Sequence, residues 1–154
     1  MHALTIWQPW ASLIAVGAKP YEWRGWRCPS AFVGRRIAIH AGARPVKKDE
    51  IRELLLDIRR DPAATSLDPD IAYPPLETWL AAPGSLPLRS ILCTAVLGQP
   101  ITARQYAERQ GGFSGDSDRI DHSKWGWPLE QIERLEPIVP ATGSQGFWIW
   151  RHTP

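Results

Sequence analysis

Cysteine is nearly absent. The 154-residue chain has two, Cys28 and Cys93, and neither belongs to a C-x-x-C pair. That excludes a zinc knuckle and argues against a disulfide scaffold. No stretch approaches the roughly 18 consecutive apolar residues of a membrane-spanning helix. The opening MHALTIWQPW has neither the basic start nor the long apolar run of a secretory signal. No G-x-G-x-x-G follows a predicted strand, and no internal repeat is present. His2, His122 and His152 have no metal-ligand spacing. An excess of one charge sign is also missing. Lys+Arg is 18 and Asp+Glu is 16, and the net charge of +2 is too mild to prove a nucleic-acid partner. The expectation is a cytoplasmic protein with reduced thiols, no membrane contact, no metal and no cofactor.

What is present suits one globular domain over residues 1–154, at roughly 100–200 residues per domain. Hydrophobic residues are 44% and charged residues 22%, which excludes wholesale disorder. There are 15 prolines and nine tryptophans. So many prolines argue for short elements with ordered connections rather than a long helical bundle. Charge is unevenly spread. Residues 19–60 hold eleven basic and five acidic residues, net +6, and residues 61–154 are net −4. A basic face is therefore possible on a nearly neutral chain.

The pattern predicts a strand over Ala3–Trp7, a helix opened by Gln8-Pro9 and ended by Gly17, and an extended segment over Lys19–Trp26. A second strand covers Arg35–His40. Ile51, Leu54, Leu55 and Ile58 fall at i, i+3, i+4, i+7 and predict a helix over Val46–Arg60. Residues 61–75 are rich in Pro, Asp and Ser and read as a loop, followed by a short helix over Leu76–Ala82. Ser90–Leu97 reads as a buried strand, and Thr102 caps a helix through Arg109. Residues 110–123 read as a mobile loop. Strands follow over Lys124–Leu135 and Gln145–Arg151, joined by a Pro137–Gly143 connection. Five or six short strands with two or three helices predict an α+β barrel.

Chemistry concentrates in one stretch. Gly17, Lys19, Glu22, Arg24 and Trp26 form G-x-K-x-x-E-x-R-x-W. In an extended chain Glu22, Arg24 and Trp26 share a face, and a break at Pro20 turns Lys19 back toward it. Cation, carboxylate, guanidinium and aromatic plane together suit a polar planar ligand, since Arg reads base edges or phosphate and Trp stacks on bases. The alternative is a Glu22–Arg24 surface pair beside packed tryptophans, worth little in energy.

LTIWQPWASLIAVGAKPYEWRGW followed by GRRIAIHAG resembles the ASCH domain, named for a domain of activating signal cointegrator-1. The resemblance reaches through the 46–60 helix, the 89–97 strand and the closing GFWIW, and leaves 61–88 and 110–123 unanchored. It implies a PUA-like α+β fold: a mixed β-barrel with flanking helices and a cleft near the first helix, lined by G-x-K-x-x-E-x-R. PUA domains bind RNA, the cointegrator domain is associated with DNA, and some bacterial relatives are hydrolases of N4-acetylcytidine or resemble ribonucleases. The amidohydrolase branch carries a nucleophilic Thr three positions after the Lys, where this chain has Glu22. The resemblance therefore favours binding of RNA, DNA or a nucleotide-like ligand over that activity. A hydrolase of another kind would use Lys19 and Glu22 as acid and base, and a protein-interaction adaptor is the third reading.

The remaining candidates have plainer alternatives. Trp7 and Trp10 flank the Gln8-Pro9 corner and read as packed under the first helix, with Trp10 and the Gln8 amide as candidate ligand contacts, Gln8 reading a base edge from the cleft. Arg35, Arg36, Arg44, Lys47 and Lys48 are either phosphate contacts or a solvated rim. His40 either touches a phosphate or shuttles a proton, or is a satisfied residue at a strand end. Trp125, Trp127, Trp148 and Trp150 alternate along two strands and read as core walls. Asp116, Asp118 and Asp121 lack the spacing of a divalent-ion loop and read as solvated.

Overall fold

The elements in chain order are β1 (His2–Ile6), α1 (Trp10–Ala15), β2 (Tyr21–Arg24), β3 (Arg36–Ala41), α2 (Lys48–Arg60), α3 (Pro62–Thr65), α4 (Pro69–Ala81), β4 (Ser90–Leu97), β5 (Ile101–Thr102), α5 (Ala103–Gln110), β6 (Trp125–Pro140) and β7 (Phe147–Ile149). This computed structural model describes residues 1–110 and 123–152. The segment expected as a mobile loop, with Asp116, Asp118, Asp121 and His122, lies almost wholly outside the described residues.

The strands form one mixed sheet in the order β2-β6-β4-β3-β1-β7, with β5 paired to β6. β1 and β3 are parallel, Thr5 beside His40, and the other pairs are antiparallel. The sheet curls until its two ends meet through aromatic rings. Trp127 of β6 stacks on Phe147 of β7 at 5.7 Å and 5°, and Phe147 stacks on Phe32 at 3.9 Å. Hydrogen bonds hold neighbouring strands, and ring contacts hold the seam. Inside the curl lie Leu4, Ile6, Ile37, Ile39, Leu97 and Trp127. A second apolar layer joins α1, α2 and α4 through Leu13, Ile51, Leu55 and Leu76. Burying each such side chain contributes roughly 1.5–3 kcal/mol before entropy is subtracted.

Helix α1 ends as its sequence requires. Gly17 has φ +84°. Its N–H bonds the Ile14 carbonyl at 2.9 Å, and the Ala18 N–H reaches back to Leu13 at 2.9 Å. This left-handed reversal suits glycine. Thr102 and Gln105 cap α5 reciprocally, with bonds of 3.1 and 2.9 Å.

Four expectations need correction. Residues 61–75 are helical rather than a loop. The side chains of Asp61 and Asp68 cap α3 and α4, each just ahead of a proline at the first helical position. Pro74 and Pro75 lie inside α4, where they strip partners only from the carbonyls of Asp70 and Ile71, two exposed residues. β6 runs on to Pro140, so the connection to β7 is only residues 141–146. Its pairing with β4 shifts register twice, which lets so long a strand follow the curl. The α2 helix starts at Lys48, two residues later than expected, with Val46 buried in the helical layer instead. Among the described residues the curled sheet has seven strands and five flanking α-helices, more than expected, in the expected α+β class.

Candidate functional site

A cleft of about 660 Å³ opens where the β1–α1 corner, the end of β2 and the start of α2 meet. The motif reaches it as follows. After Gly17 turns the chain, the Lys19 N–H bonds the Leu13 carbonyl at 3.2 Å, and the Pro20 carbonyl accepts from Leu129 N–H at 2.8 Å. Strand β2 then pairs with β6, Glu22 opposite Trp127 and Arg24 opposite Trp125. The period of two puts Glu22 and Arg24 on the face that lines the cleft. Arg24 Nε donates to Glu22 Oε1 at 2.8 Å, and its Nη2 donates to the Thr5 carbonyl at 3.3 Å. The guanidinium thereby ties β2 to the end of β1, and it lies 6.0 Å from the Trp127 ring centre.

Lys19 turns back as expected but stops one layer behind the cleft lining. It is 1% exposed. Its Nζ donates to the Tyr21 carbonyl at 2.7 Å, lies 3.7 Å from Glu22 Oε2 and sits 5.3 Å from the Trp10 ring centre. The Glu22 carboxylate is thus held between two cations, Arg24 on the cleft side and Lys19 behind.

On the opposite wall, sequence reasoning singled out Arg44 as a phosphate contact or solvated rim and missed Glu50. Arg44 follows β3, stacks its guanidinium 4.8 Å from the Trp7 ring centre and pairs with Glu50 on the first turn of α2. Glu50 also accepts from the Lys47 N–H at 2.7 Å. Burial pushes the Glu50 pKa up, but Arg44 and the Lys47 N–H outweigh it and hold the carboxyl below its ordinary value. The available signal was Glu50 at the third helical position, where a carboxylate closes a cap. Trp7 is 58% exposed and Trp26 is 44% exposed, and both line the cleft. Trp10 lines it too while packing against both apolar layers.

Gln8 borders the cleft, but its amide is spent inward. Nε2 donates to Ser12 Oγ at 2.8 Å and to the Pro87 carbonyl at 2.7 Å, and Oε1 accepts from Ser12 N–H at 3.1 Å. It braces the corner. Arg36 is elsewhere, bonded to Thr94, Gln131 and Glu133. Arg35 is exposed just before β3 and is not part of the lining.

His40, on β3 beside Thr5 of β1, is buried. Its Nε2 bonds the Ala141 carbonyl at 3.0 Å, and its Nδ1 lies 3.0 Å from Thr5 Oγ1. Among the described residues, Thr5 is the one in the cleft lining with a hydroxyl. That oxygen already donates to the Ser144 carbonyl at 2.7 Å and accepts from Trp148 Nε1 at 3.0 Å. Its single proton goes to the Ser144 carbonyl, which leaves none to give to His40 Nδ1. Burial pulls the His40 pKa below its ordinary value, against the Ala141 hydrogen bond. The folded protein therefore favours the neutral ring, while the unfolded chain takes up that proton from about pH 6.5 downward. Stability is full above that pH and is lost as pH falls through the folded value. The urea midpoint should drop between pH 7 and 5, and His40→Gln should flatten that drop. An equal drop in the variant would contradict the assignment.

Gly143 packs so closely here that a Cβ would overlap the His40 ring and lie 2.9 Å from Thr5 Oγ1. Gly143→Ala should cost about 1–3 kcal/mol by overpacking. Urea denaturation indistinguishable from the parent would mean the 141–146 segment yields without cost.

No protein-family model matches the sequence, and no curated protein matches it. A search of solved structures finds similarity to the crystal structure of a mutant ZmASCH protein from Zymomonas mobilis. That chain is 15% identical, with a TM-score of 0.53, over 97% of this chain and 87% of that one. The fold is of the ASCH type: a curled mixed sheet with flanking helices. No helix among the described residues is long and apolar enough to cross a membrane.

Proposed function

We propose that this single domain binds a nucleobase in the cleft, presented by an RNA or DNA strand or by a nucleotide-like ligand, in the cytoplasm. The observation that carries the reading is the Glu22–Arg24 pair in one cleft with the exposed indoles of Trp7 and Trp26. An indole stacks on any base. A guanidinium donor beside a carboxylate acceptor matches the mixed donors and acceptors of a base edge. Two carboxylates, Glu22 and Glu50, face two guanidiniums, Arg24 and Arg44, so the interior favours an uncharged planar group over a free phosphate. The volume is that of a small-ligand site.

The binding reading is preferred to hydrolysis because the Thr5 hydroxyl gives its proton to the Ser144 carbonyl rather than to a base and Lys19 stands behind the lining. The test is calorimetric titration with the common nucleosides and short homopolymers at low salt. Binding is expected, weakened roughly 5- to 100-fold by Trp26→Ala through loss of one stacking surface. No heat and no tryptophan quenching with any of them would overturn the reading. Release of cytidine from N4-acetylcytidine at an enzyme-like rate would overturn the preference over hydrolysis.

A further inference from the structure

Two carboxylates line the cleft, and they are used differently. Both oxygens of Glu50 are taken: Oε1 by Arg44 and Oε2 by the Lys47 N–H. Glu22 gives only Oε1, which accepts from Arg24 Nε at 2.8 Å. Its Oε2 accepts no hydrogen bond among the described residues. Lys19 Nζ, at 3.7 Å, is near enough to attract it and too far to donate. Glu22 is nevertheless only 5% exposed. Among the described residues no sealed side-chain oxygen or nitrogen is left without a hydrogen-bond partner, so Oε2 is not sealed. It belongs to a residue that lines the cleft. A nearly buried carboxylate oxygen with spare lone pairs calls for a donor from the ligand. Arg24 supplies the complement. Its Nε and Nη2 donate to Glu22 and to the Thr5 carbonyl. Nη1 donates to nothing among the described residues, and the side chain, a quarter exposed, also lines the cleft.

We infer that the cleft selects a base with an exocyclic amine beside a ring-nitrogen acceptor, adenine or cytosine, with Glu22 Oε2 accepting from the amine and Arg24 Nη1 donating to the ring nitrogen. This rests on the reading of the cleft as a nucleobase site. The amine projects beyond the ring and so reaches a recessed acceptor. A carboxylate suits it because it can only accept. In uracil and in 6-oxo purines a carbonyl stands where the amine would be, and its oxygen would meet the carboxylate. Guanine could offer a carboxylate two parallel donors, N1–H and the 2-amine, but Glu22 has one oxygen to give because Oε1 is committed to Arg24. Selection therefore has a repulsive part as well as an attractive one.

The probes are nucleosides that differ in one group. Cytidine is compared with uridine and with the pyrimidin-2-one riboside, which has neither the amine nor the 4-oxo group. Adenosine is compared with inosine and with purine riboside. Titrated calorimetrically, the preferred amino nucleoside should bind about 10- to 100-fold tighter than its des-amino analogue, the loss expected for one hydrogen bond to a charged group. The oxo analogue should bind no better than the des-amino one. The two series tell which ring the site takes. Glu22→Gln keeps an acceptor for Arg24 and puts an N–H donor where Oε2 stands, so it should reverse the order and favour the oxo nucleoside. That ratio is measured within one folded protein, so a loss of stability alone does not move it. If Glu22→Gln does not fold, the parent's own series decides. Equal affinity of the parent for amino, oxo and des-amino nucleosides would overturn the inference and leave the nucleobase reading standing. A Glu22→Gln protein that keeps the parent's preference would do the same. Binding of none of the probes would remove both.

Discussion

Glu22→Ala should destabilise the protein by roughly 3–5 kcal/mol, the cost of removing one member of a buried ion-pair cluster. Glu22 lies between Arg24 Nε at 2.8 Å and Lys19 Nζ at 3.7 Å. Lys19 has almost no contact with water, and its ammonium would lose this carboxylate while keeping the Tyr21 carbonyl. Arg24 would also lose the bond that sets its plane and would hang from the Thr5 carbonyl alone. Glu22→Gln keeps the shape and one acceptor for Arg24, so its loss should be smaller, about 1.5–3 kcal/mol for a charge-assisted bond. Lys19→Met added to Glu22→Gln should recover part of that loss, because an apolar replacement of a buried ion pair is often neutral. Urea denaturation of the three variants provides the measurement. A Glu22→Ala protein within about 1 kcal/mol of the parent would mean that Lys19 finds another partner or water. The same variant should lose nucleobase binding, since the acceptor of the reading edge is gone.

Much of this site was legible in the sequence because its cause is local. A glycine that ends a helix, a proline that bends the next segment and a strand period of two place Lys19, Glu22 and Arg24 with no help from the rest of the chain. The α2 stripe was legible for the same reason. Contacts set by long-range pairing were not. Nothing near Arg44 announces that Trp7 lies under it, because the β1–β3 pairing brings them together. The depth of Lys19 depends on Trp10 closing over it. The Arg35-Arg36 run looks like a phosphate contact in sequence, but alternation along β3 sends Arg36 toward Thr94 on β4 and Glu133 on β6. Helices α3 and α4 were hidden by composition: Asp, Pro and Ser read as loop, while Asp61-Pro62 and Asp68-Pro69 are two helix starts. The ASCH resemblance supplied the barrel, but not how its seam is made.

That seam sets the second large effect. Trp127→Ala should cost roughly 3–5 kcal/mol, as expected for deleting a fully buried aromatic side chain. The position is costlier than an ordinary core site because β2 and β6 meet β7 here without ladder bonds. Trp127 supplies the join through its stack on Phe147 and a 3.2 Å bond from Nε1 to the Trp26 carbonyl. It also meets the Trp26 ring edge-on at 4.7 Å and lies under the Arg24 guanidinium. The same side chain therefore closes the barrel and supports two cleft residues. Trp127→Phe separates these roles. It keeps a ring on Phe147 but gives up the bond that fixes Trp26, at about 1 kcal/mol. The expected outcome is a folded Trp127→Phe protein whose nucleobase affinity falls several-fold, and a Trp127→Ala protein whose urea midpoint falls steeply. If Trp127→Ala unfolds with the parent's midpoint, the ring stack is not what holds the two ends of the sheet together. If Trp127→Phe binds as the parent does, Trp26 is positioned by its own strand and not by the seam beneath it.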